Sequence, residues 1–399
     1  MIDKYFKDKS IIIFTIVSLL FFALMLILEN LNNRFDTNDL RVMYDAANAL
    51  RHGETVYGIP FGLSTGYYKY SPFTLLLFVP YTLVSLKTAG FIHFFIISIS
   101  AISSVVLIEK IINKHFFNNY KYRLLSYFLI LIVILLHIVK DLHLGNTNTI
   151  LIFTIILTIY NSLNKRYLLA GLFFALAIIT KPYFAIAILP FLLYKQYKTV
   201  MYTALSGFLF VLLTVVFMGF SKSLSLHLEW FSAMLEHSKY LTSSYTIFYL
   251  LDYYTGIKIP TEYSYHFFVL IGILSFLFFY LLKRKDGKLA VFNENQSLMM
   301  FFFFIIAITP NILITDNEHF IFSLPIIVFV ILYLKTNMNY YILILFFIAA
   351  FMYGGNSTDL VGADLTLKIK FWGFLGIGNL IMLSIAMYLF YSKRNTFLK

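Results

Sequence analysis

Residues 34–72 read RFDTNDLRVMYDAANALRHGETVYGIPFGLSTGYYKYSP, a long polar stretch near the start of a chain otherwise built from apolar runs. Leu40, Met43, Ala47 and Leu50 recur at helical spacing, while Arg41, Asp45, Asn48 and Arg51 fall on other faces. That periodicity predicts a short amphipathic helix, capped at its start by Thr37 or Asn38 and closed by Gly53. Asp39 then sits in the first turn, where the helix dipole and free backbone N–H groups favour an ionised carboxylate. Tyr67, Tyr68, Tyr70 and Pro72 lead back into apolar sequence. The expectation is a helix lying on a membrane surface and presenting a carboxylate, with the rest of the chain as its scaffold.

Composition sets that scaffold. The 399 residues are 60% hydrophobic and only 13% charged, with a mean hydropathy of +0.82. Several apolar runs are long enough to cross a bilayer, which excludes an ordinary soluble domain and predicts an all-α polytopic membrane protein. Cysteine is absent, so neither disulfides nor thiolate metal sites are available. The formal charge of +12 is carried by Lys and Arg in short turns between apolar runs, a pattern that orients helices and does not point to nucleic acid.

The positive-inside rule gives an order of crossings. Lys4, Lys7 and Lys9 place the start of the chain inside, and residues 11–28 form a first helix that lacks a small-residue cleavage site and is read as retained. The first external loop, residues 29–72, follows. A basic loop with Lys110, Lys114, Lys121 and Arg123 belongs inside, which requires an odd number of crossings after Pro72. Residues 73–84, short and containing Pro80, are therefore read as re-entrant or surface-bound; two full crossings would invert every later assignment. Residues 124–139 and 151–163 make a pair joined by an external segment from Lys140 to Asn148. Residues 168–194 are apolar except for Thr180-Lys181-Pro182 and carry basic residues at both ends, so two half-length helices should meet at Lys181. A second external loop, residues 219–264, precedes 267–282 and the basic turn at Lys283. Residues 298–314 and 320–334 flank Thr315 to His319, residues 340–353 and 371–391 make a last pair, and Lys393, Arg394 and Lys399 stay inside. The whole is a single membrane domain, residues 1–399, of about 11–13 spanning or re-entrant helices. Charge counting alone brings Asp36 to Asp45, His143 to Asn148, Lys181 and Asp316 to His319 to the outer face.

Ionisable groups at membrane depth are expensive, so each is a functional candidate. Lys181, on a helix break beside proline, suits a phosphate held at the membrane surface; the plain alternative is a snorkelling lysine. Asp36, Asp39 and Asp45 form an acidic cluster, although a single Asp at a helix start is commonly a cap. His319, preceded by Asp316 and Glu318, could donate to a developing charge or relay a proton, or could be structural. Asn146 and Asn148, in Gly145-Asn146-Thr147-Asn148, read either as site groups or as a polar helix start. There is no phosphate-cradling glycine loop, zinc spacing or nucleophile elbow.

Taken together, these motifs resemble glycosyltransferase family 87 of the GT-C superfamily. The carriers are Asp39, Tyr44 and Asp45 with Gly53 and Tyr57, then Tyr68-Lys69-Tyr70-Ser71-Pro72 and Pro80. Gly145-Asn146-Thr147-Asn148 is similar to the family's Gly-Gln-x-Asn, with Asn146 in place of Gln. Ala170-Gly171 through Lys181-Pro182 resembles its small-residue helix ending in Lys-Pro, and Thr309-Pro310 with His319 resembles its Ser-Pro segment followed by histidine. A single histidine stands here where the family often has a pair. Thr242 to Thr246 is the counterpart of the family's polar external stretch, and Asn295-Gln296-Ser297 is a decoy for it on the inner side. The resemblance extends over residues 36–325.

The resemblance implies a GT-C-like bundle with a catalytic first external loop. It implies an inverting transferase moving a hexose, mannose by family, from a polyprenyl-phosphate sugar to a lipid-linked or envelope glycan. The setting would be the external face of a bacterial plasma membrane. Asp39 and His319 would be catalytic, Lys181 would bind the donor phosphate, and Asp36, Tyr44, Tyr68, Tyr70, Asn146 and Asn148 would contact substrate. Its partners would be donor, acceptor and membrane lipids, without nucleic acid, cofactor or metal. The rival reading is a lipid or glycolipid transporter or flippase, which predicts a second interrupted helix pair in a matching half; the sequence shows one interrupted pair, at Lys181, and no second copy.

Overall fold

The computed structural model describes residues 8–62, 66–117, 123–237, 243–286, 293–313, 315–354 and 357–392. The predicted positions Lys4, Lys7, Lys121, Thr242, Ile314, Lys393, Arg394 and Lys399 lie outside these. The described chain is helical throughout, and eight of its helices are long and apolar enough to cross a membrane. Five shorter apolar helices accompany them. This is a polytopic membrane protein, as composition required.

The order begins with α1 (Lys9–Leu31) and the amphipathic α2 (Asn38–His52). The short α3 (Pro72–Phe78) runs on as a 3-10 turn, Val79–Leu83, and then comes α4 (Leu86–Phe116). At roughly 1.5 Å per residue, residues 72–83 are too short for a crossing, whereas α4 exceeds the hydrocarbon thickness on its own. The single-crossing reading of this region therefore has the geometry it needs. The basic loop is shorter than the sequence implied, because Lys110 and Lys114 belong to the end of α4 and Arg123 opens α5 (Arg123–Leu144). Lys140 to Leu144 likewise form the last turn of α5, not a loop.

The helix α6 (Asn148–Leu163) leads to α7 (Tyr167–Thr180), and the chain breaks at Lys181 before a 3-10 segment, Pro182–Ile188, and α8 (Leu189–Leu193). Next come α9 (Tyr197–Met218), α10 (Phe220–His237) and α11 (Ile247–Thr255), so much of the second polar segment is helical. The helix α12 (Ser264–Asp286) takes in Lys283, and α13 (Glu294–Ile312) opens with an Asn293–Gln296 capping box. Gln296 Nε2 also donates to His115 O at 2.6 Å, which ties Asn295-Gln296-Ser297 to the basic end of α4. A 3-10 segment, Asn317–Ser323, precedes α14 (Leu324–Thr336), α15 (Tyr340–Gly354), α16 (Thr358–Val361), α17 (Ala363–Phe371) and α18 (Phe374–Ser392).

Two cores result. The large one is built from α4–α6, α13, α14 and α18. A smaller one gathers Leu40, Met43, Ala46 and Ala47 of α2 with Tyr57, Tyr68, Leu75, Phe78 and Leu226, and so clamps α2 onto α3 and α10. The apolar stripe read from the sequence is thus the buried face of α2, and Gly53 closes the helix as expected. The predicted side-chain cap is not formed: Thr37 occupies the N-cap position in a left-handed conformation with no side-chain cap bond. Its backbone N–H instead donates to His143 O at 3.1 Å, joining the start of α2 to the end of α5.

The helices α7 and α9 approach each other closely at Gly171. A Cβ at Gly171 would come within 2.5 Å of the Tyr202 backbone carbonyl carbon, so only glycine permits this approach. Gly171→Ala should therefore force the two helices apart and cost roughly 1–3 kcal/mol. A thermal unfolding midpoint below that of the wild type in the same detergent is the expected reading.

Candidate active site

The segments predicted to converge do so around a cavity of about 440 Å³. Its walls come from α2, the chain before α3, the end of α5, the Lys181 break, Leu313 and residues 315–319. Asp39, Tyr70, Asn146, Lys181 and His319 all line it.

Local chemistry fixes each wall. The α5–α6 turn needs Gly145, whose φ of +67° disfavours other residues and whose missing Cβ would lie 2.7 Å from Leu40 Cβ. That close approach sets Asn146 beside α2, where its Nδ2 donates to Asp39 Oδ2 at 2.6 Å. Asn146 Oδ1 in turn accepts from Thr147 N at 2.6 Å, so its amide has one orientation. The cavity-facing edge of α2 is thus Asn38, Asp39, Val42 and Met43.

Proline sets the second wall. A residue before proline is driven to extended geometry, and Lys181 is found at φ −134°, ψ 94°. Its ammonium is buried, donates to Asn148 Oδ1 at 2.5 Å and lies 2.5 Å from His319 Nε2. It also sits over the Phe322 ring at 5.9 Å from the centroid. His319 Nδ1 is 3.2 Å from Asp316 O; with the Nδ1 proton on that carbonyl, Nε2 accepts from Lys181. Lys181 is therefore held on the cavity wall by two acceptors, and does not snorkel.

Burial and the neighbouring Glu318 charge push the Asp39 carboxyl up to about 6, against the pull of Lys69 and Lys181. Burial thus outweighs the helix dipole, which on its own would favour the ionised form. At neutral pH the group is still mostly ionised, with a proton affinity far closer to a general base than an ordinary aspartate. Burial lowers the Lys69 ammonium from its ordinary value, and Asp316, Asp39 and Glu318 oppose that shift.

Asp316, Glu318 and His319 bring metal-ligand-type atoms within 4.8 Å of one another. Lys140 Nζ, however, pairs with Glu318 Oε1 at 2.7 Å, and Lys181 engages His319. Lysines already supply the positive charge that a cation would bring to two of these three groups.

Four of the residues proposed as substrate contacts, Asp36, Tyr44, Tyr68 and Asn148, are not on the cavity wall. Asp36 is exposed and is not among the lining residues. Tyr44 Oη donates to Val84 O at 2.8 Å and anchors the chain after α3. Tyr68 is fully buried in the small core, with its hydroxyl on Ser71 O at 3.2 Å. Asn148 stands one hydrogen bond behind Lys181.

The sequence reading passed over Lys69, Lys140 and Lys370, which also line the cavity. Lys69 is held because its carbonyl accepts from Trp230 Nε1 at 3.2 Å and the next carbonyl, Tyr70 O, accepts from Tyr57 Oη at 2.7 Å. A signal for it existed: in extended chain, successive side chains alternate, so a core-facing Tyr68 turns Lys69 the other way.

The sequence profile of glycosyltransferase family 87 matches residues 68–310. The match takes in Lys69, Tyr70, Asn146, Asn148 and Lys181; Asp39 and His319 lie outside it, so it is narrower than the motif resemblance over residues 36–325. No curated protein matches the chain. The match spans more than half of the sequence, and the chain belongs to glycosyltransferase family 87, enzymes that transfer sugars.

Proposed function

We propose that this protein is an inverting hexosyltransferase that takes a sugar, mannose by family resemblance, from a polyprenyl-phosphate donor. The acceptor is a hydroxyl of a lipid-linked or cell-envelope glycan, and the reaction occurs on the external face of a bacterial plasma membrane. The observation that carries the reading is a single cavity lined by a carboxylate of raised proton affinity, Asp39, and by a buried lysine–histidine pair, Lys181 and His319.

The chemistry follows from charge. The acceptor oxygen attacks the anomeric carbon, the bond from that carbon to the phosphate oxygen breaks on the opposite face, and the acceptor proton passes to Asp39. The departing polyprenyl phosphate gains a negative charge, which Lys181 balances and Lys69 is placed to share. His319 keeps Lys181 aimed at the phosphate through its Nε2. A phosphate leaving group met by lysine needs no metal, and a donor with a lipid tail reaches such a site from the bilayer. The direct test is sugar transfer by purified protein from a polyprenyl-phosphate hexose, with comparison of envelope glycans by mass spectrometry in cells with and without the protein. No transfer from any such donor, alongside lipid movement in vesicles, would favour a flippase.

Asp39→Asn keeps the size of the side chain and an acceptor for Asn146 but cannot take a proton. Its transfer rate should fall by roughly 10²–10⁴, whereas Asp36→Asn should stay near wild type. Only ionised Asp39 accepts a proton, so the wild-type rate should rise with pH through about 6 and level off above it; a flat profile from pH 5 to 7 would remove Asp39 as the base.

Lys181→Gln should lower turnover by roughly 10²–10³ through lost stabilisation of the leaving phosphate, with the protein still inserted. Unchanged donor use in that variant would leave Lys181 a structural group.

The chain has no cysteine, so single cysteines report sidedness cleanly. Asp36→Cys should react with an impermeant thiol reagent in intact cells and Lys114→Cys should not; the reverse pattern would invert the topology.

A further inference from the structure

Asp141 is fully buried in the last turns of α5, outside the cavity lining, and the reaction just described does not use it. Three donors face its carboxylate. Asn148 Nδ2 donates to Oδ1 at 3.1 Å, and the backbone N–H and hydroxyl of Thr149 both donate to Oδ2 at 2.6 Å. The Thr149 N–H belongs to the first turn of α6 and is a fixed donor, so Oδ2 must be an acceptor. On the other side, the Asn148 amide has two ends of opposite character. Only if its NH₂ faces Asp141 does its oxygen face Lys181 Nζ, 2.5 Å away.

We infer that Asp141 is a positioning residue for sugar transfer: by accepting on both carboxylate oxygens it locks the Asn148 amide in the one orientation that presents an acceptor to Lys181. The inference rests on the reading of Lys181 as the donor-phosphate group. A carboxylate is required here because no other side chain of this size accepts on both sides. Asparagine at this position would keep its oxygen on Thr149, where the helix N–H is fixed, and would turn its own NH₂ toward Asn148. Asn148 would then flip and direct its NH₂ at the Lys181 ammonium, donor against donor, so Lys181 would lose an anchor and turn away from the cavity. The cap on α6 survives in that variant, which separates orientation from helix stability.

The exchange of the two residues supplies the test. With Asp141→Asn and Asn148→Asp combined, the new amide donates to the new carboxylate, whose other oxygen again accepts from Lys181, and the number of charges is unchanged. Binding of a short-chain polyprenyl monophosphate to the purified full-length protein reads the effect without turnover. Asp141→Asn should weaken binding by roughly tenfold or more with little change in thermal stability, and the double variant should recover most of the loss. Lys181→Gln serves as the reference for the phosphate site itself. If Lys181→Gln weakens binding but Asp141→Asn does not, Asp141 is only a helix cap and the inference falls while the functional reading stands. Loss in Asp141→Asn without recovery in the double variant also overturns it. Unchanged binding in Lys181→Gln would overturn the reading on which both rest.

Discussion

A lysine ammonium taken out of water inside a membrane bundle must be met by acceptors, and the arrangement around the cavity follows from meeting that demand at Lys181. Desolvating such a charge costs several kcal/mol even after relaxation. Asn148 meets it from the start of α6, and His319 and the Phe322 face meet it from the 3-10 segment Asn317–Ser323. Those partners make demands of their own: Asn148 needs Asp141, and His319 needs the carbonyl of Asp316. The groups around Lys181, namely Asn148, Asp141, Thr149 and His319, therefore form a connected set with matched donors and acceptors, the condition under which buried polar groups specify one structure.

The same logic explains why the small core exists beside the large one. The helix α2 is polar on one edge and must bring Asp39 to the cavity without being a membrane span itself. Packing Leu40, Met43, Ala46 and Ala47 against Tyr57, Tyr68 and Leu75 gives it an apolar bed. Tyr44 and Arg51 then fasten it to the turn after α3, through Val84 O and Thr82. Aromatic hydroxyls and the indole of Trp230 satisfy the carbonyls of residues 69–71, a stretch without regular secondary structure, so its backbone is held without a sheet or helix around it.

The fold class was fully legible because hydropathy acts over whole segments, and the break at Lys181 was legible because a lone charge beside proline in an apolar run has few explanations. Asp39 was placed by helical periodicity and its neighbours by motif resemblance. The failures have physical causes. Tyr44 and Tyr68 lie in the right segment, but a motif does not say which face a tyrosine turns to, and both spend their hydroxyls on backbone carbonyls. Lys69 sits in a polar loop, where a charge is unremarkable until burial is known. Asp141 looked like part of an external loop because the eye ends a helix at the first polar residues, whereas α5 continues through them to Leu144. The raised proton affinity of Asp39 comes first from burial and then from the Glu318 charge, neither of which a local reading could supply.

Beneath the histidine wall lies a polar joint of three side chains. Ser323 Oγ donates to Asn379 Oδ1 at 2.6 Å, and Asn379 Nδ2 donates to Asn311 Oδ1 at 2.6 Å. Asn379 belongs to α18, while Asn311 and Ser323 flank the segment that carries His319. During synthesis the earlier helices enter the bilayer first, and until α18 arrives the Asn311 amide lacks this buried partner and must find another, since water is scarce at that depth. Assembly of the histidine wall is thereby coupled to the arrival of α18, so a nascent protein that already contains Asp39, Lys181 and His319 but not yet α18 would lack the brace that holds them in register.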